Sequence, residues 1–505
     1  MFSWNDLLAY KENAPLIFSQ YLFLFIFTVF FLVYTFIYKN ITVRNLYLLF
    51  FSLFFYYKSG GFYFWILIFS TVVDYNLANW VYRAKTASGK KAFFLLSIGM
   101  NLLLLGFFKY SYFFVDLINQ SFDTHFKAFN FLSGISNLIA GTSYNVNEII
   151  LPVGISFYTF QAMSYTYDIY RGNLQPVKNI WDFGFFISFF PHLVAGPIVR
   201  AADFIPQVYK PYNVTREEMG AAIYMIVKGL IKKVLISDYI SINFVDRVFD
   251  APQLYSGFEN LMAVYGYTLQ IYCDFSGYSE MAIGLALLMG FRLGVNFNSP
   301  YTSLNITEFW RRWHISLSSW LRDYLYITLG GNRKGKIRTY INLMLTMLLG
   351  GLWHGASLKF ILWGGLHGSA LVVHKVWQKF TAGFFAMPKF VSVFFSWFLT
   401  FHFVAFCWIY FRAPDMATVS AMMQQIGFHF SFSDLMVKVL AYRAVISLII
   451  LGFGIHLLPA VWKKQWENYF IQLPDIAKSF VVAAVIFMLY QVASSDVQPF
   501  IYFQF

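Results

Sequence analysis

The sequence predicts an all-α protein that crosses a membrane many times, and three observations carry this prediction. Of the 505 residues, 59% are hydrophobic and only 12% are charged, which is too little polar surface to cover a soluble globule. Apolar runs of roughly 20 residues, the length that an α-helix needs to cross the hydrocarbon core, recur from end to end. The period-two alternation of a membrane β-barrel is absent from these runs. We therefore predict one membrane domain with about 11 to 13 transmembrane helices and additional re-entrant segments.

The basic residues predict the orientation of the chain. The net charge is +13, but the lysines and arginines occur in short clusters between apolar runs. Such clusters mark cytoplasmic loops, so the charge does not indicate nucleic-acid binding. With these clusters inside, both the N-terminus and the C-terminal tail face outward. The first 18 residues include Asp6, Lys11 and Glu12, which argues against a cleaved signal peptide.

The N-terminal half contains five predicted spans and one interrupted segment. The spans cover residues 19–38, 46–57, 62–80, 93–115 and 149–169. Residues 181–199 are also apolar, but Pro191, His192, Gly196 and Pro197 interrupt them. Non-helical backbone survives at membrane depth only when protein shields it or when it lines a cavity. We therefore predict that this segment is re-entrant.

The C-terminal half continues the pattern. Its predicted spans cover residues 219–244, 261–291, 339–354, 358–376, 390–410, 444–461 and 480–492, with a long outer segment at 412–443. Residues 308–320 place Trp310, Trp313, Leu317 and Trp320 at helical spacing beside arginines, which predicts an interfacial or re-entrant helix. From Thr339 to His354 a helix rises roughly 22 Å through a core about 30 Å thick. His354 is therefore predicted in the outer half of the membrane.

The chain is organised around residues 350–355, GGLWHG, where an apolar segment carries an imidazole between glycines. Ionisable residues inside membrane segments are costly and usually face a cavity or a partner, which favours a functional site. The glycines would let a substrate or another backbone approach the ring of His354. The alternative is a histidine that caps a helix end or bonds a neighbouring carbonyl.

The other candidate ligands do not predict a metal site. Cys273 and Cys407 lie within apolar runs and are expected to be small buried side chains rather than disulfide or zinc partners. His367 and His374 share a helix face, but no carboxylate or further ligand accompanies them. We therefore predict no metal.

Two acidic residues lie in one predicted span. Asp274 and Glu280 are six residues apart and so lie on different faces of a helix. They do not indicate a cooperating carboxylate pair. We expect each to make polar contacts in the protein interior.

Five motifs resemble the membrane-bound O-acyltransferases, and most closely the bacterial branch that acylates extracellular polysaccharides. The motifs are residues 156–161 (SFYTFQ), 190–200 (FPHLVAGPIVR), 272–278 (YCDFSGY), 309–317 (FWRRWHISL) and 351–355 (GLWHG). The resemblance implies a ring of helices around a tunnel that joins a cytoplasmic thioester donor to an extracellular acceptor. It also implies N-terminal helices at 1–145, an acyltransferase core at 146–380 and C-terminal helices at 381–505.

The resemblance implies roles for two histidines. His354 matches the catalytic histidine of the family, and His314 matches its second characteristic histidine. Acyl transfer to a hydroxyl needs a base, which neutral imidazole supplies near neutral pH. Trp353 or backbone N–H groups near the glycines are candidates to stabilise the oxyanion. His314 could orient the donor or bond the thioester carbonyl, or it could be a structural histidine among tryptophans.

The donor side has weaker candidates. Arg311 and Arg312, with nearby basic residues, could hold the phosphates of coenzyme A or meet an acidic carrier protein, although ordinary positive-inside residues are an equal alternative. Gln161 and His192 are candidates for the tunnel lining, with structural bonding favoured for His192. No tightly bound cofactor is expected, because the donor substrate is an acyl-CoA or acyl-carrier-protein thioester.

The last six residues, FIYFQF, resemble the C-terminal motif Phe-x-Tyr-x-x-Phe of these acylation systems. By that resemblance Tyr502 would reach His354 from outside, accept the acyl group and pass it to a secreted transferase. A phenol with a pKa of about 10 needs a neighbouring base to attack, which makes this contact chemically sensible. The alternative is an aromatic anchor at the membrane interface.

The leading hypothesis is an O-acyltransferase of the bacterial cytoplasmic membrane that passes acyl groups, with acetyl favoured, toward an extracytoplasmic polysaccharide. Its expected partners are a secreted or periplasmic acyltransferase, the polysaccharide acceptor, membrane lipid and, for a carrier-bound donor, an acyl carrier protein. A transporter or flippase for acyl or lipid-linked sugar intermediates is the alternative, with His354 and the buried acids in a proton relay. An acylase of lipids or proteins is a third hypothesis.

Overall fold

The structure is a computed structural model that describes residues 7–11, 15–140, 145–194, 196–380 and 388–492. Within these ranges the regular secondary structure is helical, and no strand occurs. The chain is an all-α polytopic membrane protein, as its composition predicted.

Three of the described helices are long and apolar enough to cross a membrane by themselves. They are Ile41–Arg83, Ala87–Phe122 and Lys389–Arg412, and two sharply bent helix pairs raise the number to at most five. The larger number of spans expected from the sequence stays a prediction, as does the ring of helices around a tunnel.

Several N-terminal helices extend beyond the apolar runs that predicted them, although Tyr21–Ile37 is shorter than its run at 19–38. The N-terminal elements are Tyr21–Ile37, Ile41–Gly60, the 3-10 turn Gly61–Tyr63, Phe64–Arg83, Ala87–Leu105, the π-helical turn Gly106–Tyr110, Ser111–Phe122 and Phe131–Ala140. The run at 46–57, for example, lies in a helix of 20 residues, because the Asn40 side chain caps it by accepting bonds from the backbone N–H groups of Thr42 and Val43.

A buried carboxylate ties two of these helices together. Asp74 accepts hydrogen bonds from the Ser97 hydroxyl at 2.9 Å and from the Asn101 amide at 2.8 Å. All three side chains are almost fully buried. Since a buried acceptor is costly unless it is satisfied, this contact fixes the helix Ala87–Leu105 against its neighbour.

The segment predicted as re-entrant is interrupted where the sequence indicated. It consists of the helix Ile180–Ser188 and a single turn, Phe190–Leu193, which is deeply buried in the protein. A Cβ on Gly196 would lie 2.5 Å from the carbonyl oxygen of Pro191, so only glycine fits this close approach. The irregular backbone is thus shielded by protein, as the membrane requires.

The middle of the chain centres on one long helix. The elements are Ile155–Arg171, Ala201–Val208, Arg216–Leu230, π-helical continuations at Ile231–Asp238 and Ser241–Val245, Asp246–Asp250, a 3-10 turn at Pro252–Leu254, and Gly257–Leu288. The last has 32 residues and starts with a capping box of Ser256 and Glu259. The helix Arg216–Leu230 packs closely against it at Gly229, where an added Cβ would lie only 2.5 Å from the carbonyl oxygen of Gly277.

Both acidic residues of this long helix have basic partners. Asp274 lies 2.5 Å from the ammonium group of Lys233, which also bonds Asp238 at 2.7 Å. Glu280 lies 2.8 Å from the ammonium group of Lys232. The polar interior contacts predicted for Asp274 and Glu280 are therefore confirmed.

The continuous helix predicted over residues 308–320 is wrong. The chain forms two short helices, Ile306–Arg312 and Ile315–Trp320, because His314 adopts a left-handed conformation with φ of 43°. The backbone N–H of Ile315 bonds the carbonyl of Asn296 at 2.9 Å instead of continuing the helix. The tryptophan spacing was compatible with a helix, but this long-range bond decides the local conformation.

The C-terminal part contains a helical hairpin followed by bent helix pairs. Its elements are a 3-10 turn at Pro300–Thr302, a π-helical turn at Leu321–Tyr326, and the helices Lys336–His354, Leu358–Phe380, Lys389–Arg412, Met416–Phe428, Leu435–Ala441, Arg443–Leu457, Ala460–Gln472 and Asp475–Val492. The bends are 82° after Ala441 and 115° after Gln472. Cys273 and Cys407 are buried and free, in agreement with their prediction as small interior side chains.

Candidate functional site

His354 is the last residue of a helix. This helix, Lys336–His354, is called the histidine helix below; it follows Gly335 and ends because Gly355 is extended, with φ of −167° and ψ of 150°. The next helix, Leu358–Phe380, runs back beside it and is called the returning helix. The imidazole therefore stands at a turn between two packed helices.

Glycines bring these two helices into backbone contact. A Cβ on Gly351 would lie 2.2 Å from the carbonyl oxygen of Phe360, and a Cβ on Gly364 would lie 2.3 Å from that of Met347. Small residues allow this approach between membrane helices. Gly351 thus serves helix packing and sets the position of His354, which follows three residues later.

Aromatic rings surround the imidazole of His354, which is 4% exposed. The ring centroids of Trp353, Trp363 and Phe411 lie 5.0, 5.1 and 5.2 Å from it, all in edge-on arrangements. Such surroundings restrict water and hold the ring in one orientation. They suit an imidazole that exchanges a proton with a substrate rather than with bulk solvent.

The structure brings the second predicted histidine to the same place. His314 is fully buried, and its ring centroid lies 4.6 Å from that of Phe275 and 6.2 Å from that of Trp353. The indole of Trp353 therefore contacts both His314 and His354. The two histidines are 40 positions apart in sequence, and His314 stands at the break between two short helices.

A cavity of about 90 Å³ adjoins His354 and Trp353. Its polar side chains are those of Lys109, Ser156 and His354, and the remainder of its wall is largely apolar. A cavity of this size has room for several water molecules and therefore for a small substrate group. Its wall includes residues 151–157, which lead into and begin the helix Ile155–Arg171.

Lys109 and Tyr110 belong to this site, although they are not among the residues predicted from the sequence. The ammonium group of Lys109 donates to the carbonyls of Trp353 at 2.7 Å and His354 at 3.1 Å, and the Tyr110 hydroxyl donates to that of Leu352 at 2.9 Å. The one available signal was a lysine inside the apolar run 93–115, which is unusual enough to suggest function.

The donor-side candidates lie away from this cavity. Arg311 is exposed, and Arg312 pairs with Glu308 at 2.8 Å and bonds the carbonyl of Asn298. Neither arginine is among the residues that line the cavity. Their geometry is compatible with a surface role.

Gln161 and His192 are buried elsewhere. Both amide atoms of Gln161 lack a hydrogen-bond partner among the described residues, although its side chain is 0% exposed. The Nε2 atom of His192 lies 2.8 Å from the carbonyl oxygen of Phe186, in a cluster of phenylalanine rings. Neither residue lines the cavity next to His354. Tyr502 lies outside the described residues.

Comparison with known proteins gives the family. The chain is 41% identical over 425 residues to a probable alginate O-acetylase of Pseudomonas syringae pv. tomato, covering 83% of this chain and 76% of that relative. It is 37% identical over 405 residues to a peptidoglycan O-acetyltransferase of Helicobacter pylori, covering 75% and 72%. It is 30% identical over 275 residues to a teichoic acid D-alanyltransferase of Bacillus subtilis, covering 52% and 68%. Residues 170–412 match the family model as well, so the chain belongs to the membrane-bound O-acyltransferase family and is an acyltransferase.

Proposed function

We propose that this protein transfers an acetyl group from a cytoplasmic thioester to the extracytoplasmic side of the bacterial inner membrane, for attachment to hydroxyl groups of a polysaccharide. The observation that carries the proposal is the position of His354, at a helix end beside a small cavity. The relatives named for O-acetylation match more of the chain than the D-alanyltransferase does, which supports acetyl as the transferred group.

The proposed reaction uses His354 as the base. Its neutral imidazole takes the proton of the acceptor hydroxyl, and the oxygen attacks the thioester carbonyl carbon. The resulting tetrahedral oxyanion collapses, the carbon–sulfur bond breaks and an ester forms. The leaving thiolate takes the proton from the imidazolium, which regenerates neutral His354. The buried aromatic surroundings of His354 support this role, because they would restrict the access of water to a thioester bound beside the ring.

His314 and Trp353 would orient the thioester. Trp353 contacts both histidine rings, so a displacement of either ring would shift the indole and, through it, the other ring. In the proposal the indole N–H of Trp353 or a backbone N–H near Gly355 stabilises the oxyanion. Arg311 and Arg312 would meet the phosphates of the donor on the cytoplasmic side.

Tyr502 would be the first acceptor. In this scheme the C-terminal tail enters from outside, the Tyr502 phenol loses its proton to His354 and becomes acylated, and a secreted acyltransferase then moves the acyl group to the polysaccharide. The outward orientation of the tail, which the charge distribution predicts, supports this order.

The test is acetyl transfer by the purified protein in proteoliposomes, with radiolabelled acetyl-CoA and acetyl-carrier protein supplied as alternative donors. We expect His354→Ala to abolish labelling of the protein and of any acceptor, and Tyr502→Phe to abolish labelling of the tail while slow thioester hydrolysis persists. His402→Gln is the matched control, because this histidine bonds Tyr265 at 3.0 Å outside the cavity.

Two outcomes would count against the proposal. Retention of transfer in folded His354→Ala would show that another group is the base. Movement of an acylated or lipid-linked molecule across the bilayer with no covalent transfer would instead support the transporter alternative.

A further inference from the structure

Lys109 lies in a helix that changes its winding next to the site. The segments Ala87–Leu105, Gly106–Tyr110 and Ser111–Phe122 follow one another directly, and the middle one is π-helical; together they are called the broken helix. Short π-helical turns inside α-helices are frequent at functional sites. A lysine in so apolar a helix is costly unless a partner compensates for its desolvation.

The partner of Lys109 is the end of the histidine helix. The last four carbonyl groups of an α-helix have no N–H partner within the helix, and they lie at the negative end of the helix dipole. Here Lys109 donates to the carbonyls of Trp353 and His354, and Tyr110 donates to that of Leu352. Two adjacent side chains of the broken helix therefore satisfy three successive carbonyls of the histidine helix.

The helix that carries the clamp of Lys109 and Tyr110 is itself held in place by buried hydrogen bonds. The broken helix is fixed to its neighbour by Ser97 and Asn101, whose side chains bond the buried carboxylate of Asp74 at 2.9 and 2.8 Å. The contact between Lys109 and the site is not local in sequence, since it spans 245 positions to His354. Lys109 also lines the same cavity as His354.

We propose that Lys109 is a positioning residue for acyl transfer, which together with Tyr110 holds the backbone of His354 so that its imidazole stays at the cavity wall. The inference rests on the proposed role of His354 as the base. Without the clamp, the last turn of the histidine helix would lose its terminal hydrogen bonds, and a helix end without such bonds frays.

The test compares three variants in the proteoliposome assay with the donor concentration varied. We expect Lys109→Met to lower kcat by about 100-fold, the effect of displacing a catalytic group by about 1 Å, with little change in the KM for the donor. Lys109→Arg keeps a donor and a charge and should restore most of the kcat. Tyr110→Phe removes only the bond to Leu352 and should lower kcat by a smaller factor.

Lys463→Met is the matched control. Lys463 donates to the carbonyl of His456 at 2.6 Å, close to the end of the helix Arg443–Leu457, and it is absent from the cavity wall. This variant loses the same kind of bond to a helix end. We expect it to lower the midpoint of thermal unfolding without lowering kcat.

The results separate this inference from the proposed function. If His354→Ala abolishes transfer while folded Lys109→Met keeps the wild-type kcat, the positioning role is wrong and the proposed function stands. If Lys109→Met does not fold, Tyr110→Phe decides, and an unchanged kcat in that variant contradicts the clamp. An equal loss of kcat in Lys463→Met would also overturn the inference, because the effect would then reflect general destabilisation.

Discussion

Gly351→Ala tests whether helix packing sets the position of His354. The added methyl group would lie 2.2 Å from the carbonyl oxygen of Phe360, whereas real Cβ contacts are at least 3.0 Å long. The carbonyl belongs to the backbone of the returning helix and cannot rotate away. Backbone atoms of Gly364 lie at 3.1 and 3.2 Å and close the remaining direction. The two helices must therefore separate by most of an ångström.

This separation has two expected consequences. Overpacking of this kind costs about 1–3 kcal/mol of folding free energy, of which the higher helix propensity of alanine returns at most about 1 kcal/mol. Because His354 lies less than one turn away, its imidazole moves with the backbone, and a displacement of about 1 Å can reduce kcat about 100-fold. We therefore expect a much larger loss of kcat than the stability change alone would produce.

The neighbouring glycine gives a matched control. Among the described residues, a Cβ on Gly350 would meet only the Cδ1 atom of Leu321, at 3.2 Å, and a side-chain tip can move aside. We expect Gly350→Ala to keep most of the wild-type kcat and of the wild-type folding stability. The measurements are kcat in proteoliposomes and the midpoint of thermal unfolding in detergent. Wild-type kcat and stability in Gly351→Ala, or equal losses in both variants, would refute the packing argument.

Two further predictions concern charged groups. Lys233→Leu should lower the unfolding free energy by about 3–5 kcal/mol, because it leaves two buried carboxylates without their shared cation. The control Lys464→Leu breaks an exposed ion pair and should lower the unfolding free energy by about 0–1 kcal/mol. Thermal or denaturant unfolding in detergent distinguishes these outcomes. The Thr215 N–H and the Arg292 guanidinium donate to the Glu218 carboxylate and hold its pKa below its ordinary value. This contact therefore stabilises the fold at pH values above the ordinary pKa of a carboxyl group, and the stabilisation is lost as the pH falls toward the lowered pKa. Glu218→Gln should therefore flatten the acid side of a plot of unfolding midpoint against pH. An unchanged plot would contradict the assignment.

The helices that were predicted correctly were predicted from local sequence pattern. Helix hydrogen bonds join residues four apart, so an apolar run with a polar boundary is sufficient to predict a helix there. The interruption near Pro191 also follows from local chemistry, because proline and glycine restrict or free the backbone at their own positions. Residues 308–320 show the limit, since the helical spacing of their tryptophans gave no sign of the break at His314.

The members of the site could be named from sequence only in part. His354 stood out because an imidazole between glycines in an apolar segment is unusual. Its contact with Trp363, and the place of Trp353 between His314 and His354, depend on how distant segments pack. No spacing rule relates these positions, so sequence pattern alone could not give the geometry.

The sequence by itself determined that this is a helical membrane protein and that His354 ends an apolar helix, because both properties depend on side-chain polarity over a few turns. Only the tertiary structure decided that Lys109 and Tyr110 hold the carbonyls at that helix end and that a cavity adjoins the imidazole. The physical reason is that a helix end leaves carbonyls unpaired but does not specify which distant side chain will satisfy them. That choice is made when the helices pack.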